Sequence, residues 1–145
     1  MAAYLSTELA GSTGQTAVPT GFKPTATAYQ ASLKRLRASF TLNSQATTDT
    51  LVFGNLPAGS VFAFGAITSS VTLATSTLAV GTSGTTGKYR AAATHTTANA
   101  PQIFGVASAV AGTPLTADEQ VIGTIAVAAL PSSGTLVVDL YYSKP

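Results

Sequence analysis

Few side chains of this sequence could carry catalysis or hold a metal. There is one histidine, His95, and no cysteine, and the five acidic residues are scattered along the chain. Zinc sites draw mainly on histidine and cysteine, so one here would depend on acids that the spacing does not bring together. A Ser-His-Asp triad has no fixed spacing, but the G-x-S-x-G elbow is absent. We therefore predict a protein that is not an enzyme and needs no metal or other cofactor.

Two polar segments read as solvent-exposed loops. His95 lies in a threonine-rich run at residues 94–97, which is typical of a loop and places the histidine at the surface or at an interface. Asp118 and Glu119 are adjacent carboxylates. Neighbours on a strand point to opposite faces, so the two acids would not share a substrate or a calcium ion. We predict that both are solvated in a turn.

A glycine-rich loop before Lys88 invites comparison with a phosphate-binding loop. That motif requires G-x-x-x-x-G-K-[ST], with the lysine opening a helix. Gly87 and Lys88 fit, but Thr82 stands at the first glycine position and Tyr89 at the hydroxyl position. The segment after Lys88 also has the composition of a strand. The sequence therefore does not predict a nucleotide site.

One cluster of cations could contact a partner. Lys34, Arg35 and Arg37 lie together, and on a strand Arg35 and Arg37 would share a face. Nucleic-acid binding needs many clustered cations, and binding of single strands also uses stacking aromatic residues, which do not interleave with this cluster. A solvated strand face or a protein partner fits better. The candidate partner-contact residues are thus Lys34, Arg35 and Arg37, together with Phe22 and Lys23 in the preceding segment.

Aromatic residues occur as the pairs Phe62 with Phe64 and Tyr141 with Tyr142. We interpret them as core and rim residues of a β-domain. Stacking on sugars is the alternative, although the sequence contains no tryptophan.

The charge content is unusually low. Only 8% of residues are Asp, Glu, Lys or Arg, against about 25% in an ordinary soluble domain. Ala, Thr, Ser and Gly make up 77 of the 145 residues. Interspersed charge normally keeps proteins apart, so a surface of small and hydroxylated side chains favours association. The net charge is only +2. This composition predicts a subunit whose faces are covered by neighbouring proteins, and no nucleic-acid partner.

The layout of the chain predicts an arm and one β-domain. Residues 1–30 contain scattered Gly and Pro and no sustained periodicity, which indicates an extended N-terminal arm. Residues 31–145 alternate between apolar and polar side chains in about eight short segments, with turn residues every 8 to 12 positions. This pattern favours an all-β, single-domain β-sandwich of the jelly-roll kind. The helix formers at 28–37 are the main competing signal.

Three local predictions follow from the same pattern. The turn cluster at 55–59 joins apolar runs at 50–53 and 60–64 and predicts a hairpin. The turn at 131–134 joins alternating runs at 121–127 and 136–142 and predicts a second hairpin. Between residues 71 and 80 the apolar positions change from odd to even, which predicts a bulge or tight turn near Thr75 and Ser76.

This layout resembles the small Ala/Thr/Gly-rich virion proteins of tailed bacteriophages. The resemblance rests on a mobile arm followed by a hydrophobic β-domain with segments such as GSVFAFGAI, GKYRAAAT and GTLVVDLYYSKP. It implies a capsid decoration (cement) protein with a jelly-roll or related β-tulip fold, forming a homotrimer on the major capsid protein and bridging capsomers. A neck, tail or fibre-base component of the virion, or a carbohydrate-binding adsorption module, is the alternative.

The sequence also bears on location. The first residues, MAAYLSTELAG, lack the basic start and apolar stretch of a secretory signal. No window approaches 18 consecutive apolar residues, so we expect neither a membrane span nor a membrane partner. Together with the resemblance, this predicts a protein of the outer capsid surface that is assembled in the host cytoplasm.

Overall fold

A computed structural model of the protein describes residues 32–144. Within this range there are eight strands and no helix. In chain order they are β1 (Leu33–Thr41), β2 (Thr50–Leu56), β3 (Val61–Ser69), β4 (Thr77–Gly81), β5 (Arg90–Ala93), β6 (Gln102–Phe104), β7 (Glu119–Ala126) and β8 (Thr135–Ser143). The described residues therefore contain no helix that could cross a membrane.

The strands form two four-stranded antiparallel sheets. The first sheet has the order β1-β8-β3-β6 and the second the order β2-β7-β4-β5. The pairs β1 with β8, β2 with β7, β3 with β6 and β4 with β5 are nested inside one another. The chain is thus one long hairpin, turning between β4 and β5, that is rolled into two layers. This is the jelly roll, and it confirms the predicted all-β sandwich. The predicted arm at 1–30 lies outside the described residues.

The core lies between the two sheets and follows the alternation in the sequence. Leu136, Val138 and Leu140 of β8 are fully buried, as are Val121 and Ile125 of β7. Aromatic contacts join the layers at both sides: Phe40 packs edge-on against Phe53, and Phe62 packs against Tyr89. Phe62 is therefore a core residue, as predicted.

Neither predicted hairpin forms. β2 lies in the second sheet and β3 in the first, so the segments around the 55–59 turn do not pair with each other. The same holds for β7 and β8 around the 131–134 turn. Each turn carries the chain across the sandwich from one sheet to the other. Alternation and turn residues look the same in a hairpin and in such a crossing, and this is why the sequence pattern gave the wrong partners.

The predicted turn near residue 75 is confirmed. The Ser76 amide donates to the carbonyl of Leu73 at 2.9 Å, and Ala74 has a φ of 52°. β4 begins only at Thr77. The shift of apolar positions thus reflects a turn that precedes the strand.

Both ends of the described chain leave the sandwich on the same side. Leu33, at the start of β1, pairs with Ser143, at the end of β8, and Ser143 also pairs with Val61. The connections at 57–60, 82–89 and 105–118 lie on this side too, since they join the strand ends that meet there. We call this side, formed by those three connections, the termini end.

Candidate protein-interaction surface

The outer side of the first sheet carries the arginine residues of the basic cluster. Their neighbours on β1, Leu36, Ala38 and Phe40, pack toward the core, so the alternating positions point outward. Pairing in register places Arg35 beside Tyr141, whose other neighbour is Phe64, and places Arg37 beside Asp139, in a row that continues to Ala66 and to Ile103 at the opposite edge of the sheet. We call this surface the arginine face; its residues are Arg35, Arg37, Phe64, Ile103, Asp139 and Tyr141.

A bidentate ion pair joins β1 and β8 on the arginine face. Arg37 Nε donates to Asp139 Oδ1 and Arg37 Nη2 donates to Asp139 Oδ2, both at 2.7 Å. The two parallel bonds are the strongest geometry for a carboxylate and a guanidinium. The hydrogen bonds from Arg37 lower the pKa of Asp139, against the opposing effect of burial, and the same bonds raise the pKa of Arg37. Asp139 is therefore ionised at neutral pH although it is buried.

Arg35 adds a second positive charge to the same face. Its Nε is 4.0 Å from Asp139 Oδ1, and half of its side-chain surface is exposed. Two arginines share one carboxylate, so the group carries an excess positive charge. The predicted shared face of Arg35 and Arg37 is confirmed. Lys34 pairs with Tyr142 in the alternate register and therefore lies on the other side of the strand. Phe22 and Lys23 lie outside the described residues.

Aromatic and aliphatic side chains share the arginine face with the ion pair. Phe64 and Tyr141 stack with their ring centroids 4.6 Å apart. Ile103, on the far strand of the sheet, is 71% exposed. Arginine and aromatic residues are enriched in protein interfaces, whereas lysine and acids are depleted there. The arginine face thus has the composition of a surface that binds protein.

β1 also has one unpaired edge. Within residues 32–144 its only neighbour in the sheet is β8, so the other edge of this nine-residue strand exposes backbone groups. Such an edge can pair with another chain. Two copies of β1 paired antiparallel over their full length would place Arg37 opposite Arg37, and like charges at facing positions are destabilising. This repulsion therefore disfavours pairing between two copies of β1 over their full length.

The acidic pair is only partly solvated, so that prediction needs correction. Glu119 accepts hydrogen bonds from Lys88 Nζ and from the hydroxyl of Tyr89. Asp118 is exposed, but its Oδ1 accepts from the backbone amide of Ala58 at 2.7 Å. Burial, followed by the bond to Glu119, raises the pKa of Tyr89 far above its ordinary value. Lys88, rejected above as a phosphate ligand, is thus held by an ion pair with Glu119.

The prediction for His95 is wrong, because His95 is buried. It is 2% exposed, its carbonyl accepts from the Leu73 amide, and its Nε2 has no hydrogen-bond partner in residues 32–144. Nearby, Arg90 is buried and donates to four backbone or amide oxygens, and burial lowers its pKa. The bond to Gln102 joins β5 and β6, the edge strands of the two sheets. Threonine-rich composition gave no signal of this burial.

Sequence reasoning missed Asp139 as a residue of the candidate surface. It occupies an outward-facing position in the alternating run at 136–142. An acidic residue at such a position indicates only that this face of the strand is polar. Its role depends on Arg37, which is 102 residues away in the chain. A prediction of the pairing of β1 with β8 would have found it. Among the residues that the structure describes, no group of three or more His, Asp or Glu could hold a metal.

Comparison with known proteins gives a common fold. The sequence matches no protein-family model and no curated protein sequence. A chain of the "Cyanophage Pam1 capsid asymmetric unit" is similar with a TM-score of 0.65 and 20% identity, over 93% of this chain and 99% of that one. A chain of the "Capsid of Ralstonia phage GP4" has a TM-score of 0.63 and 21% identity, over 79% and 85% of the two chains. A chain of the "Acidic stable capsid structure of Helicobacter pylori bacteriophage KHP30" has a TM-score of 0.59 and 14% identity, over 79% and 90%.

Proposed function

We propose that this chain is a structural virion protein that decorates the outer surface of a phage head and stabilises the contacts between capsomers. The observation that carries the proposal is the shared fold, which spans nearly the whole of both chains in the comparison with the cyanophage capsid structure. Similar chains come from two further phage capsid structures. The jelly roll also serves unrelated functions, so the properties of the surface have to support the same conclusion.

The surface supports an assembled state. The chain has few charges, and its exposed strand face combines arginine with aromatic and aliphatic side chains. A standard interface buries about 1,600 Å², and many symmetric copies would add that interface energy along every seam of a shell. A homotrimer would link three such contacts, so its avidity would exceed the affinity of each one. The partner we propose is the major capsid protein, which would present acidic groups to the arginine face.

Binding to heads that lack the protein tests this function. Purified protein is mixed with undecorated heads of the phage that encodes it, and the bound copies are counted by sedimentation and cryo-electron microscopy. Hundreds of copies per head on the outer surface are expected. A small number of copies confined to the neck or tail, or binding to glycans without binding to heads, would contradict decoration.

A pair of charge-matched variants tests the arginine face. Arg35→Gln and Lys144→Gln each remove one exposed cation, but only Arg35 lies on this face. Removing a charge at an interface rim slows association and weakens its salt dependence. We expect Arg35→Gln to lower the affinity for heads by roughly tenfold, or about 1.4 kcal/mol, and Lys144→Gln to bind as the wild type does. Equal affinities of the two variants would exclude the arginine face as the contact.

The predicted arm has its own test. Removing residues 1–23 leaves all eight strands in place. We expect the truncated protein to keep the cooperative unfolding of the eight-stranded domain and to bind heads more weakly, because the arm contributes contacts of its own to the shell or to a neighbouring subunit. Equal binding of the truncated and full-length proteins would show that the arm makes no contribution.

A further inference from the structure

The termini end of the sandwich contains a cleft of about 420 Å³. The connection at 105–118 forms one wall, and the Lys88–Glu119 ion pair forms part of the other. Apolar side chains line much of it: Phe62, Ala109, Pro114 and Leu115. Two backbone hydrogen bonds between Leu115 and the 59–60 turn hold the wall in place. The cleft is therefore a formed feature of the fold.

The cleft has an acidic side. Asp118 and Glu119 line it together with a single cation, Lys88, so its charged groups sum to one negative charge. Glu119 is already bound by Lys88 and Tyr89. Asp118 is different, because it is exposed and only its Oδ1 accepts a hydrogen bond from residues 32–144. An apolar cavity with one available carboxylate fits a segment that combines a large apolar residue with a cation.

Residues 1–31 contain one such segment. Lys23 is the only lysine or arginine among them and Phe22 the only phenylalanine, and the two are adjacent and followed by Pro24. We infer that residues 22–24 bind in the cleft of their own chain, with the Phe22 ring against the apolar wall and the Lys23 ammonium group at Asp118. Burying an aromatic ring supplies most of the driving force in such a contact, and the ion pair fixes its orientation.

The path along the chain is long enough. β1 starts at the same end of the sandwich as the cleft, two strands away from β3, which carries Phe62. The segment must cross two strand spacings, which together are about 10 Å, and one separation between sheets, which is also about 10 Å. Residues 24–31 can span about 27 Å when extended. Tethering on this scale gives an effective concentration near the millimolar range, which favours the segment of the same chain over that of another molecule.

Disulfide trapping tests the inference, and the chain has no cysteine of its own. In the full-length protein, Thr25→Cys is combined with Thr113→Cys, which lines the cleft. The control combines Thr25→Cys with Thr135→Cys, at the opposite end of the sandwich. Neither pair removes Phe22, Lys23 or Asp118. Under mild oxidation we expect rapid cross-linking of the first pair within one chain, seen as a monomer of altered mobility on a non-reducing gel, and none in the control.

Three further substitutions in the trapping background separate the proposed contact from mere proximity. Phe22→Ala should slow cross-linking by about tenfold, as expected for loss of a buried ring. Lys23→Gln and Asp118→Asn should each slow it severalfold, and the asparagine keeps the oxygen that accepts from Ala58. Cross-links that form only between chains would overturn the inference. Cross-linking rates that are unchanged by Phe22→Ala and Lys23→Gln would also overturn it. Both results are independent of binding to phage heads.

Discussion

Gly81 should be indispensable to the loop that closes the rolled hairpin. A Cβ atom at this position would lie 2.5 Å from the carbonyl oxygen of Thr86, and closer still to that of Thr85. Carbon and oxygen atoms in contact normally stay about 3.3 Å apart. The Thr85 oxygen cannot simply move away, because it accepts from the amides of Thr82 at 3.0 Å and Lys88 at 3.1 Å. A Gly81→Ala substitution must therefore break these bonds or displace the loop.

The cost follows from the two bonds. Each backbone hydrogen bond contributes about 0.5–1.5 kcal/mol net, so Gly81→Ala should lower the free energy of unfolding by about 1–3 kcal/mol. For a domain of this size that lowers Tm by roughly 4–12 °C. Urea unfolding followed by circular dichroism, with tyrosine fluorescence as a second probe, measures the change. The slope with urea should stay constant, because the surface exposed on unfolding is the same.

Gly84→Ala is the matched control, in the same loop and with the same chemical change. Gly84 is exposed, and an added Cβ would meet no atom within 4 Å. Its effect should stay within about 0.5 kcal/mol. If the two variants unfold at the same urea concentration, the close approach of Gly81 to the Thr85 carbonyl does not hold in the protein and the reasoning fails.

Three other perturbations test the ion pair, the buried tyrosine and the core. Arg37 lowers the pKa of Asp139 in the folded protein. The ion pair therefore stabilises the fold at pH values above the pKa of an aspartate in the unfolded chain, about 3.9, and this stabilisation is lost as the pH falls below the pKa of Asp139 in the folded protein. The stability gap between wild type and Asp139→Asn should shrink in acid; a constant gap would contradict the pairing. Tyr89, whose pKa is raised mainly by burial, should stay neutral until the protein unfolds, so Tyr89→Phe should remove no phenolate absorbance near about pH 10. Leu140→Ala should cost about 2–5 kcal/mol, whereas Val137→Ala, on the half-buried outer face, should cost less than about 1 kcal/mol; similar losses would argue against the assigned faces.

The strands could be predicted from the sequence because alternation is a local property. The runs around Leu36 and Leu140 each show which positions face the core, and the structure agrees. The spacing of turn residues likewise indicated a sandwich of short strands. These signals depend on five to nine neighbouring residues and need no knowledge of which strand lies alongside.

Pairing between strands is not local. The predictions that failed, for the two hairpins, the acidic pair and His95, all depended on which segments lie side by side in the fold. Arg37 meets Asp139 across 102 residues, and Tyr89 meets Glu119 across 30. His95 is buried in the connection between β5 and β6, the edge strands of the two sheets. The three glycines at 81, 84 and 87 look equivalent in the sequence, yet only the first faces a backbone oxygen at close range. Such distinctions require the topology.

The nested order of the strands also limits when the fold can be completed. β1 is the first of the eight strands to be synthesised, but its only partner in the sheet within the described range 32–144, β8, is the last. A ribosome adds about 5–20 residues per second, so β1 waits several seconds for its neighbour. During this time the strand is exposed beside identical nascent chains on the same messenger RNA. Repulsion between facing Arg37 side chains would disfavour the joining of those chains along β1 before each has closed on itself.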